Sequence, residues 1–360
     1  MKKSILAIAV AATMAAPAAV MAAPTVYGNV HISLNAADND VPNADNNLKV
    51  SSNTSAIGVK GSEDLGDGLK AIYKVEFQIG IGDKPDTTPD TGGLYDANQS
   101  KAVGLLSGRD QFVGLKAGWG ALKFGTMSSN YKQMGGKVDA FYRTPVEGRG
   151  FIKTQSGLHG GKAINLGRQT HTAQYVSPKM AGIQLVANTT FSGSNDETNG
   201  IGLRWSNKAF LVYADWIDGQ VGDAGFCGTG TTCVTEAATK IGGKWTAKVF
   251  SLAAQYESAE DRTGANYIHT QATWNINKNN MVGLTYGIQE RKVLATAADQ
   301  SSNDSTGMAI AYNHNMSKMT NVYVSYGLRS EDRNYSTDTA GDVVNTGDES
   351  MLSFGIRKKF

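Results

Sequence analysis

The sequence lacks long apolar runs, has almost no net charge, and contains little cysteine or proline. Its 360 residues include only 2 Cys and 7 Pro, and 34 basic residues nearly balance 32 acidic ones. No basic excess is therefore present to attract nucleic acid, which we exclude as a partner. After the N-terminal segment, no stretch is apolar for the roughly 18 residues that a membrane-spanning helix needs. Any membrane crossing must use strands.

Catalytic and phosphate-binding motifs are also absent from the sequence. The five histidines are scattered along the chain, and none falls in the HExxH spacing of a zinc site. Neither a G-x-S-x-G nucleophile elbow nor a GxxxxGK[ST] phosphate cradle occurs. We predict no enzyme, no metal and no cofactor. Convergence of Ser, His and an acid on a barrel wall, as in a membrane hydrolase, is the alternative that sequence leaves open.

The two cysteines lie close together in a Gly/Thr-rich stretch, as Cys227 and Cys233 of CGTGTTC. In an exported protein such a pair predicts a small loop disulfide. The alternative, a metal or redox pair, lacks neighbouring His or acidic ligands.

The N-terminus has the pattern of a secretory signal. Lys2 and Lys3 precede an apolar stretch, Ile5–Met14, and small residues lead to a cleavage pattern ending at Ala22. We predict a signal peptide at residues 1–22, with an uncleaved anchor as the alternative. No linker or shift in composition divides residues 23–360, which we treat as one domain.

The abundant residues indicate strands joined by tight turns. There are 42 Gly, 14 Tyr and 11 Phe. In Leu69–Ile79, apolar residues alternate with Lys70, Lys74, Glu76 and Gln78, as in a strand with one wet face. Sixteen such segments are predicted: Thr25–Ala36, Lys49–Gly61, Leu69–Ile79, Arg109–Ala117, Ala121–Met127, Arg168–Val176, Ile183–Phe191, Asn199–Ser206, Lys208–Trp216, Thr239–Ala247, Lys248–Ser258, Asn266–Ile276, Met281–Gln289, Ser305–Asn313, Thr320–Arg329 and Glu349–Phe360.

The connections between these segments alternate between long and short. Such a meander places tight turns at one end and long loops at the other, as in an outer-membrane barrel. Tryptophans near strand ends fit an interfacial girdle. Because lipid tolerates no unpaired strand edge, Thr25–Ala36 should pair with Glu349–Phe360. We predict an all-β fold: a transmembrane antiparallel up-and-down β-barrel of 16 strands, apolar outside and polar inside.

The third long connection, residues 127–167, is far longer than usual and is predicted to be functional. It carries Asp139 and Glu147 as candidate acids, with aromatic residues between its charges. We predict that it folds into the lumen and narrows it. The alternation of side chains along each strand turns Lys60, Lys74, Lys123 and Arg168 toward the same lumen. We predict that they form the basic side of an electric field across the channel, opposite the acids of the loop. Glu76 is the clearest inward acid on the strands, whereas parity turns a further set of basic residues inward: Lys70, Lys116, Arg204, Lys240, Lys244, Arg329, Arg357 and Lys359. This basic excess predicts a weak preference for anions.

Several segments resemble the Gram-negative general porins. They are NTSAIGVKGSEDLGDGLKAIYKVEF (Asn53–Phe77), RDQFVGLKAGWGALKFG (Arg109–Gly125), GRQTHTAQYVSP (Gly167–Pro178) and the ending FGIRKKF. The resemblance implies a sixteen-stranded trimer with its third loop in the lumen. It also implies that the terminal Phe360 is read by the barrel-assembly machinery. Ala56 and Gly125-Thr126 stand where family members often carry arginine, whereas Arg168 matches a retained one.

The resemblance completes the functional prediction. We expect an outer-membrane channel for passive diffusion of small hydrophilic solutes and ions, assembled as a homotrimer among outer-membrane lipid and lipopolysaccharide. Two alternatives remain open: a substrate-specific channel for sugars or phosphate, and a surface or adhesion protein that uses the barrel as an anchor.

Overall fold

The computed structural model describes residues 23–39, 48–81, 106–161, 167–191, 197–220, 235–291, 304–331, 336–337, 343–344 and 348–360. Seventeen segments form one antiparallel sheet. Two of them, Leu48–Ser52 and Ala56–Gly66, both pair with the first strand and are halves of one interrupted strand. The sheet therefore has sixteen strands, as predicted.

The strands follow one another around the sheet in chain order. They are β1 (Thr25–Asn39), β2 in its halves β2a (Leu48–Ser52) and β2b (Ala56–Gly66), β3 (Leu69–Ile79), β4 (Leu106–Ala117), β5 (Gly120–Ser128), β6 (Arg168–Val176), β7 (Ile183–Thr190), β8 (Asn199–Ser206), β9 (Phe210–Gln220), β10 (Thr235–Thr246), β11 (Phe250–Ser258), β12 (Ala265–Asn275), β13 (Asn280–Arg291), β14 (Ser305–Asn315), β15 (Thr320–Glu331) and β16 (Asp348–Lys359). A two-stranded ribbon, Ser336–Thr337 with Val343–Val344, lies between β15 and β16.

The first and last strands close the sheet into a barrel. β1 pairs with β16 from Asn29 opposite Lys359 to Asn39 opposite Glu349. Closure satisfies the backbone N–H and C=O groups of both edges, which a membrane environment requires. The predicted pairing of the first strand with the last is confirmed.

The break in β2 was not predicted, because Lys49–Gly61 reads as one strand. Thr54 between the halves has φ of 58°, a left-handed conformation. The amide of His31 on β1 donates to Ser55 Oγ at 2.9 Å, and the amide of Asn53 donates to the His31 carbonyl at 2.8 Å. At the break, hydrogen bonds that join His31 of β1 to Asn53 and Ser55 thus replace the regular ladder between β1 and β2.

The two faces of the barrel wall differ as the alternation predicted. On β16, Leu352, Phe354 and Ile356 are about half exposed (50%, 58% and 47%), whereas Ser353 between them is fully buried. The apolar face therefore points outward and the polar face inward. No described helix is both long and apolar enough to span a membrane.

The buried apolar contacts lie between the wall and the segment after β5. This segment contains helix α1 (Asn130–Val138) and a 3-10 turn, Gly157–His159; a second short helix, α2 (Glu260–Thr263), follows β11. Ser129 caps α1 by accepting from the Lys132 amide at 3.2 Å. One apolar cluster joins Phe141 and Ile152 of the segment to Ala309 and Ala311 of β14.

Candidate functional site

The segment from residue 129 to residue 161, called here the long segment, is fastened to the polar face of the wall. Its main anchor is Glu257 on β11, whose side chain is fully buried. The carboxylate accepts from Tyr131 Oη at 3.1 Å, Ser156 Oγ at 2.5 Å and His159 Nε2 at 2.9 Å. Gln255 Nε2 of the same strand also donates to it, at 2.6 Å. The segment's two ends are thus held by one carboxylate.

The protonation of His159 follows from its surroundings. The imidazole is completely buried, and burial lowers its pKa to about 4, although the neighbouring Glu257 opposes this shift. His159 is therefore neutral at pH 7 and donates from Nε2.

A second anchor lies on β9 and β10. Asn130 Nδ2 donates to Asp215 Oδ1 at 3.1 Å and to the Trp216 carbonyl at 3.0 Å. Lys240 Nζ lies 3.7 Å from Asp215 Oδ2 and 4.0 Å from the centre of the Tyr131 ring, and it donates to the Tyr131 carbonyl. The start of α1 is thereby fixed against the wall.

Further along the wall, the long segment packs on small residues. A Cβ added at Gly283, Gly307 or Gly327 would lie 2.8 Å from Phe141, 2.0 Å from the Ile152 carbonyl oxygen or 2.9 Å from Val146. Strands β13, β14 and β15 each present one of these glycines. We call these three glycines the glycine floor. The backbone of the long segment can contact β14 because no side chain lies between them.

The two predicted acids fold the long segment upon itself. Asp139 is 4% exposed, and its oxygens accept from the amides of Phe141 at 2.8 Å and Gly148 at 2.9 Å. Burial raises the pKa of Asp139 to about 7. Glu147 accepts from the Arg143 amide and from Arg149 Nε, both at 2.7 Å. Their role as the negative side of a pore stays a prediction.

The predicted basic residues lie on one stretch of wall, on neighbouring strands β2b to β6. Lys60 and Lys74 both approach the Tyr27 ring, at 5.0 and 5.9 Å from its centre. Lys74 also pairs with Asp110 at 3.3 Å, and Arg168 Nε pairs with the same carboxylate at 3.0 Å.

Lys123 belongs to the same stretch of wall. Its ammonium donates to Gln174 at 2.7 Å and lies 5.2 Å from the centre of the Phe112 ring. The structure thus brings the four predicted cations, Lys60, Lys74, Lys123 and Arg168, to one region. Their role in setting the channel's field stays a prediction.

Two further charged residues of this cluster, Arg109 and Asp110, were not predicted. Arg109 Nε lies 2.5 Å from Glu76, and Lys74 lies 3.1 Å from the same carboxylate. The parity that turns Lys116 inward also turns Asp110 inward, so Asp110 could have been found. Arg109 has the opposite parity. It joins the cluster because β3 and β4 shift register here, with Val75 opposite Gln111 but Phe77 opposite Gly108.

Three other predictions concern the termini and the cysteines. The backbone of Phe360 pairs with Gly28, through N–H···O bonds of 3.0 and 3.2 Å. Cys227, Cys233 and the predicted signal peptide at residues 1–22 lie outside the described residues. The disulfide and the signal peptide therefore stay predictions, as does the division into domains.

Comparison with known proteins decides the family. A profile of the Gram-negative porins matches residues 7–334. The chain belongs to the Gram-negative porin family. The major outer membrane protein P.IB of Neisseria gonorrhoeae is 29% identical over 59% of this chain and 56% of its own length. An outer membrane porin protein of Bordetella pertussis is 24% identical over 96% of this chain and 99% of its own length.

Solved porin structures share the fold. The anion-selective porin from Comamonas acidovorans superposes with a TM-score of 0.72, covering 94% of this chain and 99% of that one, at 18% identity. The match to the gonococcal porin spans only about half of that relative. The predicted family, the closed porin barrel and the outer-membrane location are confirmed.

Proposed function

We propose that this porin forms a water-filled channel for passive diffusion of small hydrophilic solutes and ions, and that the long segment lies in the lumen and narrows it. The observation that supports the proposal is the set of hydrogen bonds between this segment and buried polar residues of the wall. Its partners Asp215 and Glu257 belong to the buried polar face of β9 and β11. His269 of β12 is buried on the same face, and its Nδ1 lies 2.8 Å from Thr154 Oγ1 of the segment. Exposed apolar residues occupy the opposite face, which faces lipid.

A channel of this kind selects solutes by width and by electric field. The wall from β2b to β6 presents five cations: Lys60, Lys74, Arg109, Lys123 and Arg168. The acids within this cluster, Glu76 and Asp110, neutralise only part of the charge. A net positive wall favours a weak preference for small anions, as the inward basic excess predicted.

Reversal potentials across a planar bilayer test this proposal. In a KCl gradient, the purified protein should give stable conductance steps and a reversal potential of the sign expected for modest anion preference. Lys60→Gln should move that potential toward zero, because it removes an exposed cation of the wall. Lys70→Gln is the matched control, since Lys70 already pairs with Asp64 at 3.7 Å near the β2b–β3 turn. Cation preference, or a lack of conductance, contradicts the proposal.

We further propose that the channel works as a homotrimer embedded in outer-membrane lipid and lipopolysaccharide. Family membership supports this assembly, and a solved structure of the same fold, OmpT of Vibrio cholerae, is a trimer form. Light scattering from the detergent-solubilised protein should give three times the mass of one chain. A monomer under mild detergent conditions overturns the trimer without affecting the channel.

A further inference from the structure

A cavity of about 800 Å³ lies between the long segment and the wall, at the end of the barrel that carries the tight turns. Helix α1 forms one side of it. Residues of the turns after β6 and β8, together with the end of β10, form the other. The cavity is far larger than a single ion and would hold a small organic solute with its water.

The charge around this cavity is strongly one-sided. Six basic residues line it: Lys132, Lys137, Lys179, Arg204, Lys208 and Lys244. Burial lowers the pKa of Lys132 to about 5, so the other five supply the positive charge at pH 7. Among the described residues that line it, Asp110 is the one acid, and this carboxylate already accepts from Lys74, Ser128 and Arg168. Gathering like charges without matching acids costs free energy that a bound anion would recover.

Arg204 gives an independent indication of a ligand. The residue is 8% exposed, and its two terminal nitrogens donate to Gln133 Oε1 at 3.0 Å and the Asn130 carbonyl at 3.2 Å. Its Nε is buried and has no hydrogen-bond partner in the described part of the chain. Native proteins rarely leave a buried donor unsatisfied, and each exception needs an explanation.

We propose that this cavity is a binding site for small polyvalent oxyanions, in particular the phosphate group, either free or at the end of a phosphate ester. Lysine ammonium groups bind phosphate as point charges, and the Arg204 guanidinium supplies a directed donor. Several cations around one space favour a multiply charged group over chloride. The inference rests on the proposed function only in that the solute would reach the site through the channel.

Titration calorimetry on the detergent-solubilised protein tests the site without requiring conduction. Pyrophosphate is the probe, at about 0.1 M ionic strength, where surface charges are still felt over roughly 10 Å. The wild-type protein should bind it measurably. The double variant Lys137→Gln/Lys244→Gln should weaken binding about fivefold or more. Neither lysine belongs to the buried anchors of the long segment, so the double variant should fold.

The matched control is Lys248→Gln/Lys278→Gln, which removes two exposed lysines from turns at the same barrel end, outside the cavity lining. Its affinity should equal that of the wild type. Arg204→Lys, which keeps the charge but removes Nε, should also weaken binding. Equal affinity in all variants, or no pyrophosphate binding by the wild type, overturns the site even if the channel conducts.

Separate titrations with inorganic phosphate and glycerol 3-phosphate distinguish the two sources of the group. Tighter binding of the ester assigns the rest of the cavity to the organic part, whereas tighter binding of free phosphate restricts the site to the ion. Either result supports the proposal when the Lys137→Gln/Lys244→Gln variant binds the same ligand more weakly than the wild type. Binding that this variant leaves unchanged contradicts it.

Discussion

At the scale of the residue, Glu257 carries an unusual share of the contacts that hold the long segment. Its carboxylate faces donors from Tyr131, Ser156, His159 and Gln255, all within 3.1 Å. A carboxylate offers acceptor positions on both oxygens, whereas an amide of the same shape offers one oxygen and two further donors. The site is therefore specific for charge as well as shape.

We predict that Glu257→Gln loosens the long segment. The amide nitrogen would face donors, and a buried group left unsatisfied costs about 1–3 kcal/mol. The unfolding temperature, measured as the temperature at which the protein's electrophoretic mobility changes on heating, should fall. The single-channel current should become noisier. Glu290→Gln, at an exposed position on β13, is the control and should match the wild type. A quiet current at unchanged stability would contradict the anchoring role.

Asp139 makes the stability of the long segment depend on pH. The pKa of this carboxyl rises from an ordinary value of 3.8 to about 7 on folding, chiefly because it is buried. Between these values the folded protein keeps a proton that the unfolded chain releases. The free energy of unfolding therefore falls as pH rises through this range, and the stabilising effect is complete only below the lower value.

We predict that Asp139→Asn removes this dependence, because the amide stays neutral. Melting temperatures measured from about pH 4 to pH 8 should show the variant gaining on the wild type as pH rises. Asp67→Asn is the control, since Asp67 lies exposed in the β2b–β3 turn. The difference in melting temperature between Asp67→Asn and the wild type should stay constant across this pH range. A constant difference for Asp139→Asn as well would show that this carboxyl does not titrate in the range.

At the scale of the element, the glycine floor decides how closely the long segment approaches strands β13 to β15. Gly307 is the most constrained position, because a Cβ there would lie 2.0 Å from the Ile152 carbonyl oxygen, a backbone atom. Such a contact can be relieved only by moving the segment or the strand.

We predict that Gly307→Ala displaces the long segment from the wall. Overpacking of this kind costs about 1–3 kcal/mol, so the melting temperature should fall and the single-channel conductance should change. Gly118→Ala is the matched control, because a Cβ at Gly118 meets nothing within 4 Å. Conductance and stability equal to those of the control would refute the close contact.

The strands were predictable because alternation is a local property, whereas the path of the long segment is not. Leu69–Ile79 was predicted with the bounds that the structure has. The bond from Ser156 to Glu257 joins residues 101 positions apart, and no local pattern encodes it. Likewise, the register shift beside Glu76 depends on how β3 and β4 pair. Parity therefore turned the four predicted cations toward one region of the wall, but it could not predict Arg109 beside them.

At the scale of the whole molecule, closure of the barrel depends on the pairing of its ends. β1 and β16 pair along eleven positions, and the last residue extends this pairing through its hydrogen bonds to Gly28. The Phe360 ring lies against Gly28, where a Cβ would come within 2.5 Å of the ring. The chain terminus thus covers the seam, and its ring is half exposed (49%) on the lipid side.

We predict that Phe360→Ala lowers the yield of assembled barrel in cells more than it lowers stability. The backbone bonds to Gly28 survive the substitution, so the folded protein should lose only the contacts of one half-exposed ring. We expect the assembly machinery to read the terminal aromatic itself, as the resemblance to the porins implies. Phe354→Ala is the control, since that ring is 58% exposed on β16, six residues before Phe360. Refolding into detergent should then give similar melting temperatures for the two variants, while outer-membrane yield should fall only for Phe360→Ala. Equal yields would mean that Phe360 acts through packing at the seam and carries no separate signal.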